Sequence, residues 1–315
     1  MSDHTNIETV YVIGLGALGT MYAAKFHDIL PEGLFIIANE ERQRSLKANP
    51  PSVNGQEYSF NYITPMEQPR TTVDLIIIAV KSSQLDQAIQ DIQHFVNPGT
   101  IVISLLNGIS SEALIAKHIG ESHLLYAYAI GMDAERLDKA ITYKNIGKIV
   151  FGEENNKNYS PKVKALQALF ECAGIAHEIP ENMLRSLWFK FMVNTGINQS
   201  SAVLGAPYGS FQQDTPAQKL MIMAAKEVVL LSAIAGTGLE DADIEKFKAI
   251  VNTLNPLGKT SMLQDIQASR KSELDLFAGT VISLGKEYGI ATPVNEILHT
   301  IISAMEIEQP YLKNS

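Results

Sequence analysis

Residues 10–23 read VYVIGLGALGTMYA, and few other arrangements constrain a fold as much. A run of β-branched and aromatic residues ends in Gly14, Gly16 and Gly19, spaced G-x-G-x-x-G, and a helical pattern comes directly after. Strand, glycine turn and helix in that order form the opening of a βαβ unit. Each glycine has a separate task there. Gly14 permits a tight turn, Gly16 lets a ligand's diphosphate approach the backbone, and Gly19 lets the helix lie close to the strand. The residues between them, Leu15, Ala17 and Leu18, carry backbone N–H groups at a helix N-terminus, where an anion is favoured. The stretch therefore predicts a dinucleotide cradle at residues 14–19.

The chain then repeats the alternation. LFIIA (34–38), DLIIIAV (74–80), TIVISLLNG (100–108) and HLLYAYAIG (123–131) are continuous apolar runs separated by amphipathic stretches. Such runs indicate parallel strands buried on both faces. The first part of the chain is thus predicted as a doubly wound α/β domain over residues 1–180. A late hairpin is expected over 140–155, and a helix capped by Ser160 with Pro161 first. From about residue 181 the strand signal stops. Helical patterns cover 183–204, 215–236, 240–253, about 262–288 and 294–307, so residues 181–315 are predicted as an all-helical domain.

Charge and cysteine content narrow the partners. The net charge is −9 with no dense run of Lys or Arg, which argues against nucleic acid or an anionic membrane. The polar opening MSDHTNIET does not resemble a signal peptide, and no uninterrupted apolar run reaches membrane-spanning length. Cys172 is the single cysteine; it suits a reducing cytoplasm and reads as a small buried hydrophobe. No metal site is expected, because histidine and cysteine lack ligand spacings.

Several polar residues stand where parallel sheets bind ligands, just past the strands' carboxyl ends. Asn39, Glu40 and Glu41 come after the second run, where an acidic side chain would hold a ribose 2′-hydroxyl; Arg42 and Arg44 are next, and an arginine would hold a 2′-phosphate. Lys81 comes after the third run, and Asn107 with Gly108 after the fourth. A surface lysine and an Asn-Gly turn are the plain alternatives.

The helical half contributes LWFKFMVNTGINQSS. Lys190, Asn194 and Asn198 recur every four residues and share one helical face beside Trp188 and Phe189. Gly196 lies among them at a cost of about 1 kcal/mol relative to alanine, which suggests that something approaches the helix closely. A lysine ammonium can protonate the oxygen of a carbonyl undergoing hydride addition, while asparagines orient the substrate. Farther on, Ser261 and Ser272 suit helix caps; alternatively Ser261 donates to a carboxylate and Glu273 pairs with Lys190.

Taken together, these residues resemble the ketopantoate reductase (2-dehydropantoate 2-reductase) family. The likeness runs through GLGALG, VK at 80–81, NG at 107–108, W-x-K-x-x-x-N-x-x-x-N from Trp188 to Asn198, SMLQD at 261–265, Glu273 and GIATPVN at 289–295. It implies a Rossmann-type domain followed by a helical domain, a cytoplasmic homodimer, and reduction of 2-dehydropantoate to pantoate with NADPH in pantothenate synthesis. It implies Lys190 as general acid positioned by Glu273, with Asn194, Asn198, Ser261 and Asn107 holding the small 2-keto acid substrate. Gly14 to Gly19, Asn39, Arg42, Lys81 and Asn107 would line the cofactor.

The chain departs from the family pattern in three places. Asn39 and Glu40 replace an arginine after the second strand, which leaves NADH open beside NADPH. Gln199 replaces a proline. MDAERLDKAITYKNIG replaces a proline-glycine turn. A reductase of a different 2-keto acid, and a catalytically silent NAD(P)-binding sensor, remain open as alternatives.

Overall fold

The computed structural model describes residues 6–69 and 71–312, with side chains through residue 307. Residues 1–5 of the polar opening lie outside the described residues. The chain forms two compact units. One comprises the residues through Leu106 together with Ser111–Met183; the other comprises Asn107–Ser110 and the residues from Leu184 onward.

The first unit opens with β1 (Val10–Ile13), α1 (Ala17–Ile29), β2 (Leu34–Ile37) and α2 (Glu40–Ala48). Three short strands come after it: β3 (Ser52–Val53), β4 (Gln56–Glu57) and β5 (Asn61–Ile63). Next are β6 (Leu75–Ile78), α3 (Leu85–Ile92), β7 (Ile101–Ser104), α4 (Ser111–Ile119) and β8 (Leu124–Ile130). The unit closes with β9 (Glu135–Leu137), β10 (Ala140–Thr142), β11 (Lys148–Gly152), α5 (Pro161–Cys172) and β12 (His177–Glu178).

Eight strands make the main sheet in the order β12-β11-β8-β7-β6-β1-β2-β5. All pairings from β5 to β8 are parallel, and β11 runs antiparallel to β8. Counted along the chain, the six parallel strands stand 3-2-1-4-5-6, the Rossmann order, and the sheet reverses direction next to β1. The apolar runs are continuous because both faces are covered. Val10 and Val12 enter one core and Tyr11 and Ile13 the other; Leu75 and Ile77 part from Ile76 and Ile78 in the same way.

Three expectations need correction in this unit. The predicted hairpin over 140–155 does not form. β10 joins a separate four-stranded sheet, β4-β3-β10-β9, whereas β11 pairs with β8 and β12 in the main sheet. The chain turns between them through Gly147, whose φ of +70° and approach to the Ile130 carbonyl leave no room for a side chain. Second, β5 went unpredicted. It is a three-residue edge strand with one buried side chain, too short to show periodicity. Third, Cys172 is exposed rather than buried, because it falls on the solvent side at the end of α5.

The second unit consists of α6 (Met183–Leu204), α7 (Pro216–Ile234), α8 (Asp241–Thr253), α9 (Ser261–Gln267), α10 (Ala278–Tyr288) and α11 (Pro293–Leu312). The single helix expected over 262–288 is two. After α9 the chain turns at Ser269, with φ of +53°. There the N–H of Arg270 reaches the Asp265 carbonyl at 2.8 Å and that of Ser269 reaches Ile266 at 3.0 Å, a Schellman closure. Serine stands where glycine would have announced the stop. At the start of α11, the buried Glu227 of α7 accepts the N–H groups of Val294 and Asn295 at 2.8 and 3.0 Å. A carboxylate suits this positive helix end, and it accounts for part of GIATPVN.

α6 and α8 are fastened by charge. The fully buried Asp243 carboxylate accepts from Arg185 at 2.7 Å, from Lys246 at 3.0 Å and from the N–H of Glu240 at 3.0 Å. Burial pushes this carboxyl up, but the Glu240 N–H and the two cations outweigh burial and hold it below the ordinary range. Asp243→Ala should cost about 2–4 kcal/mol, because it removes a buried carboxylate that two cations share and opens the α8 cap; the partners' partial exposure keeps the figure from going higher. A folded-state pKa below the unfolded value means the contribution is present above about pH 4 and fades as pH falls further. Urea denaturation at pH 7 and at pH 3 checks both points: the gap between wild type and variant should be smaller at the second than at the first.

Candidate functional site

The glycine loop lies between β1 and α1 in the first unit. Gly14 has φ of +99°, and a Cβ there would lie 2.6 Å from the backbone of Ala79 at the end of β6. A Cβ on Gly19 would stand 1.9 Å from the Gly14 carbonyl oxygen. Gly16 differs: a Cβ on it would meet nothing within 4 Å. The protein therefore needs Gly14 and Gly19 for its own packing, while the space over Gly16 is left for something else. Gly16 is also the N-cap of α1 and supplies no side-chain hydrogen bond to the helix's first turn. A diphosphate fits such an opening, beside N–H groups and a positive helix end.

The other predicted cofactor residues lie at strand ends of the same unit. Asn39 caps α2, its Oδ1 accepting the N–H of Arg42 at 2.9 Å. Its side chain is thus used locally, and Glu40 is engaged with Arg44 at 3.7 Å in an exposed i,i+4 pair. Arg42 is exposed, as is Lys81 three residues past β6. Arg136 was missed by sequence reasoning: its Nη1 donates to the Leu15 carbonyl at 2.9 Å. No spacing could have found it, because β9 is brought there by pairing in the small sheet.

In the second unit, three predicted residues meet. The Asn107 side-chain oxygen accepts from Lys190 Nζ at 3.1 Å, and its amide nitrogen donates to Glu273 Oε2 at 2.8 Å. Asn107 belongs to this unit because the next residue permits it. Gly108 has φ of +89°, and a Cβ there would lie 3.3 Å from the Leu276 carbonyl. The Asn-Gly pair is thus a turn pressed against the short 3₁₀ helix Leu274–Leu276, and it aims the amide between a cation and a carboxylate.

Lys190 sits on α6, half-buried, next to Trp188 and Phe191, whose rings meet edge to face at 6.1 Å. On the same face, Asn194 is half-buried and Asn198 is 6% exposed. Among the described residues neither amide has a side-chain hydrogen-bond partner, although buried amides usually do. They also differ from Thr195 Oγ1, Gln199 Oε1 and Ser200 Oγ, which are sealed from solvent without a partner.

Gly196 does not belong to this face. It lies two residues from Asn194, roughly 200° around the helix, and a Cβ there would meet Phe247 of α8 at 2.8 Å and the Met221 carbonyl of α7 at 2.9 Å. The close approach expected at this glycine is helix packing.

Both serine caps expected near the site are also corrected. Thr260 caps α9, accepting the Leu263 N–H at 3.2 Å, so Ser261 stands one residue later with an exposed hydroxyl. Thr260 also donates to Ser201 of α6 at 3.2 Å, which ties Ser261 to the helix that carries Asn198. Ser272 caps nothing; its N–H and hydroxyl donate to Glu306 at 2.9 and 2.6 Å. Gln199, at the position of the missing proline, donates to Asn295 at 2.9 Å and joins α6 to the start of α11.

Chemically, the second unit offers a lysine held by an amide, a carboxylate on the far side of that amide, and two amides along the same helix that are unpartnered among the described residues. The first offers a phosphate cradle. A family model described as ketopantoate reductase PanE/ApbA matches residues 10–156, and one described as ketopantoate reductase PanE/ApbA C terminal matches residues 182–306. A 2-dehydropantoate 2-reductase from Streptococcus pyogenes serotype M3 is 24% identical over 300 residues, covering 94% of this chain and 97% of that protein. Among solved structures, a D-mandelate dehydrogenase with NADH and anilino(oxo)acetate has a TM-score of 0.83 at 23% identity, covering 95% of this chain and 99% of that one. A dimeric ketopantoate reductase from Staphylococcus aureus has a TM-score of 0.78 at 19% identity, again covering 95% and 99%. Such distant structures speak for the fold, whereas the two family models span most of the sequence and both units. The chain belongs to the ketopantoate reductase PanE/ApbA family.

Proposed function

We propose that this protein reduces 2-dehydropantoate to pantoate with NADPH, and that Lys190 is the general acid. The observation that carries the reading is the Asn107 amide, which links Glu273 to Lys190 on the helix face where the Asn194 and Asn198 amides have no hydrogen-bond partner among the described residues. The glycine loop, Arg42 and Lys81 would hold the dinucleotide, and the reduced nicotinamide supplies a hydride. Lys190 gives its proton to the ketone oxygen as negative charge develops there. Asn107 holds the ammonium, and through it Glu273 keeps a compensating charge nearby. Asn194, Asn198 and Ser261 donate to the substrate's carboxylate and hydroxyl groups. We take the protein to be a cytoplasmic homodimer, supported by the apolar side chains of Leu230, Ile234 and Ile297 that α7 and α11 leave exposed.

A different 2-keto acid is the second reading. It is favoured by the segment 132–147, which forms a sheet where the family pattern has a turn. Steady-state reduction of 2-dehydropantoate and of phenylglyoxylate, the keto acid corresponding to mandelate, separates the two when each is run with NADPH and with NADH. The expected result is the highest kcat/KM for 2-dehydropantoate with NADPH. A higher value for the aryl substrate would replace the first reading with the second, and no turnover on either would remove both.

A further inference from the structure

The small sheet places a second guanidinium beside the glycine loop. Arg136 Nη1 donates to the Leu15 carbonyl at 2.9 Å and its Nε donates to the Asp138 carbonyl at 2.7 Å. These bonds fix the plane of the group and use two of its five N–H donors, so three remain for a ligand among the described residues. The hairpin that carries Arg136 is fastened to α2. Lys139 Nζ donates to the carbonyls of Ser45 and Asn49 at 2.7 and 3.0 Å, at the carbonyl end of that helix. Arg42, in the first turn of α2, is therefore held in the same framework as Arg136.

The two cations feel each other. Burial and the charge of Arg42 both depress the Arg136 pKa, with Asp138 opposing them. Two guanidiniums close enough to interact repel unless an anion neutralises them. Arg44 faces Glu40 in an exposed pair at 3.7 Å, and the Asn39 Oδ1 is taken up by the cap of α2. In a G-x-G-x-x-G unit the ribose of the adenosine half lies past the end of the second strand, which here is the start of α2.

We propose that Arg136 and Arg42 together seat the adenosine 2′-phosphate of NADPH, so that phosphate preference in this chain is set from the small sheet. The inference rests on the proposed nicotinamide-dependent function. It assigns a role to the inserted segment: β9 delivers a planar, bidentate phosphate donor to a chain that has asparagine directly after β2.

Binding titrations on the purified protein test this without turnover. NADPH, NADH, adenosine 2′,5′-bisphosphate and ADP are each titrated into wild type, Arg136→Gln and Arg136→Lys. Loss of one charge-assisted bidentate contact should raise the Kd of Arg136→Gln for NADPH and the bisphosphate by about 10–100-fold. NADH and ADP should shift little, which also shows that the loop is intact. The lysine variant should recover part of the loss. Equal weakening of all four ligands would overturn the proposal, since the guanidinium would then serve the diphosphate or the loop itself. So would an unchanged NADPH affinity, or a wild type that prefers NADH. A wild type that binds none of the four would instead overturn the nicotinamide reading, and this inference with it.

Discussion

Lys190→Ala is expected to lower kcat for 2-dehydropantoate reduction by about 10²–10⁴-fold, the usual scale for removing a general acid. The magnitude comes from the two tasks of the ammonium in the proposed reaction. It supplies the only proton the alkoxide needs, and it stabilises that oxygen before the proton moves. The fold should not suffer. Lys190 is half-buried and bonds the Asn107 amide, and Trp188 and Phe191 pack against each other without it. Unchanged thermal stability and unchanged NADPH affinity would therefore accompany the loss. Single-turnover kinetics at saturating cofactor is the measurement. A variant with near-normal kcat removes Lys190 from the chemistry.

Gly16→Val should weaken dinucleotide binding on the order of 100-fold, about 2.7 kcal/mol, and leave folding stability almost untouched. Gly16 has φ of −75°, which valine tolerates, and its missing Cβ would meet no protein atom within 4 Å. The added side chain would stand only in the space through which a diphosphate approaches the α1 terminus. Gly19→Ala is the contrast. Its Cβ would fall 1.9 Å from the Gly14 carbonyl, so that variant should lose stability as well as binding. Calorimetry of both variants with NADPH, beside their thermal midpoints, separates a ligand-facing glycine from a packing one. If Gly16→Val binds as wild type does, the space over Gly16 is not the phosphate seat.

Much of the fold was legible because burial on both faces writes itself as unbroken apolar runs. β1, β2, β6, β7 and β8 each announced themselves in this way. What escaped was structure decided by partners distant in the chain. β5 and the second sheet are built of two- and three-residue strands, whose pairing has no local period. The break after α9 is carried by Ser269 in a left-handed conformation, which serine does not advertise.

At the site, spacing alone put Lys190, Asn194 and Asn198 on one face, and the Asn-Gly pair marked a strand end. Spacing could not show that Asn107 stands between Lys190 and Glu273, separated from them by 83 and 166 residues. Nor could it show that Gly196 faces away from them, toward Phe247. The polar stripe was read from its period; the glycine was misread because its neighbours come from other helices.

The four residues Asn107–Ser110 leave the α/β unit and lodge in the helical one. That detour means the helical half is not a cassette. A recombination event with one crossover near residue 183 would transplant Lys190 and Glu273 and abandon the amide that joins them. A swapped helical half would regain that link only from a donor of the first half that also carries the strand-end asparagine and its glycine.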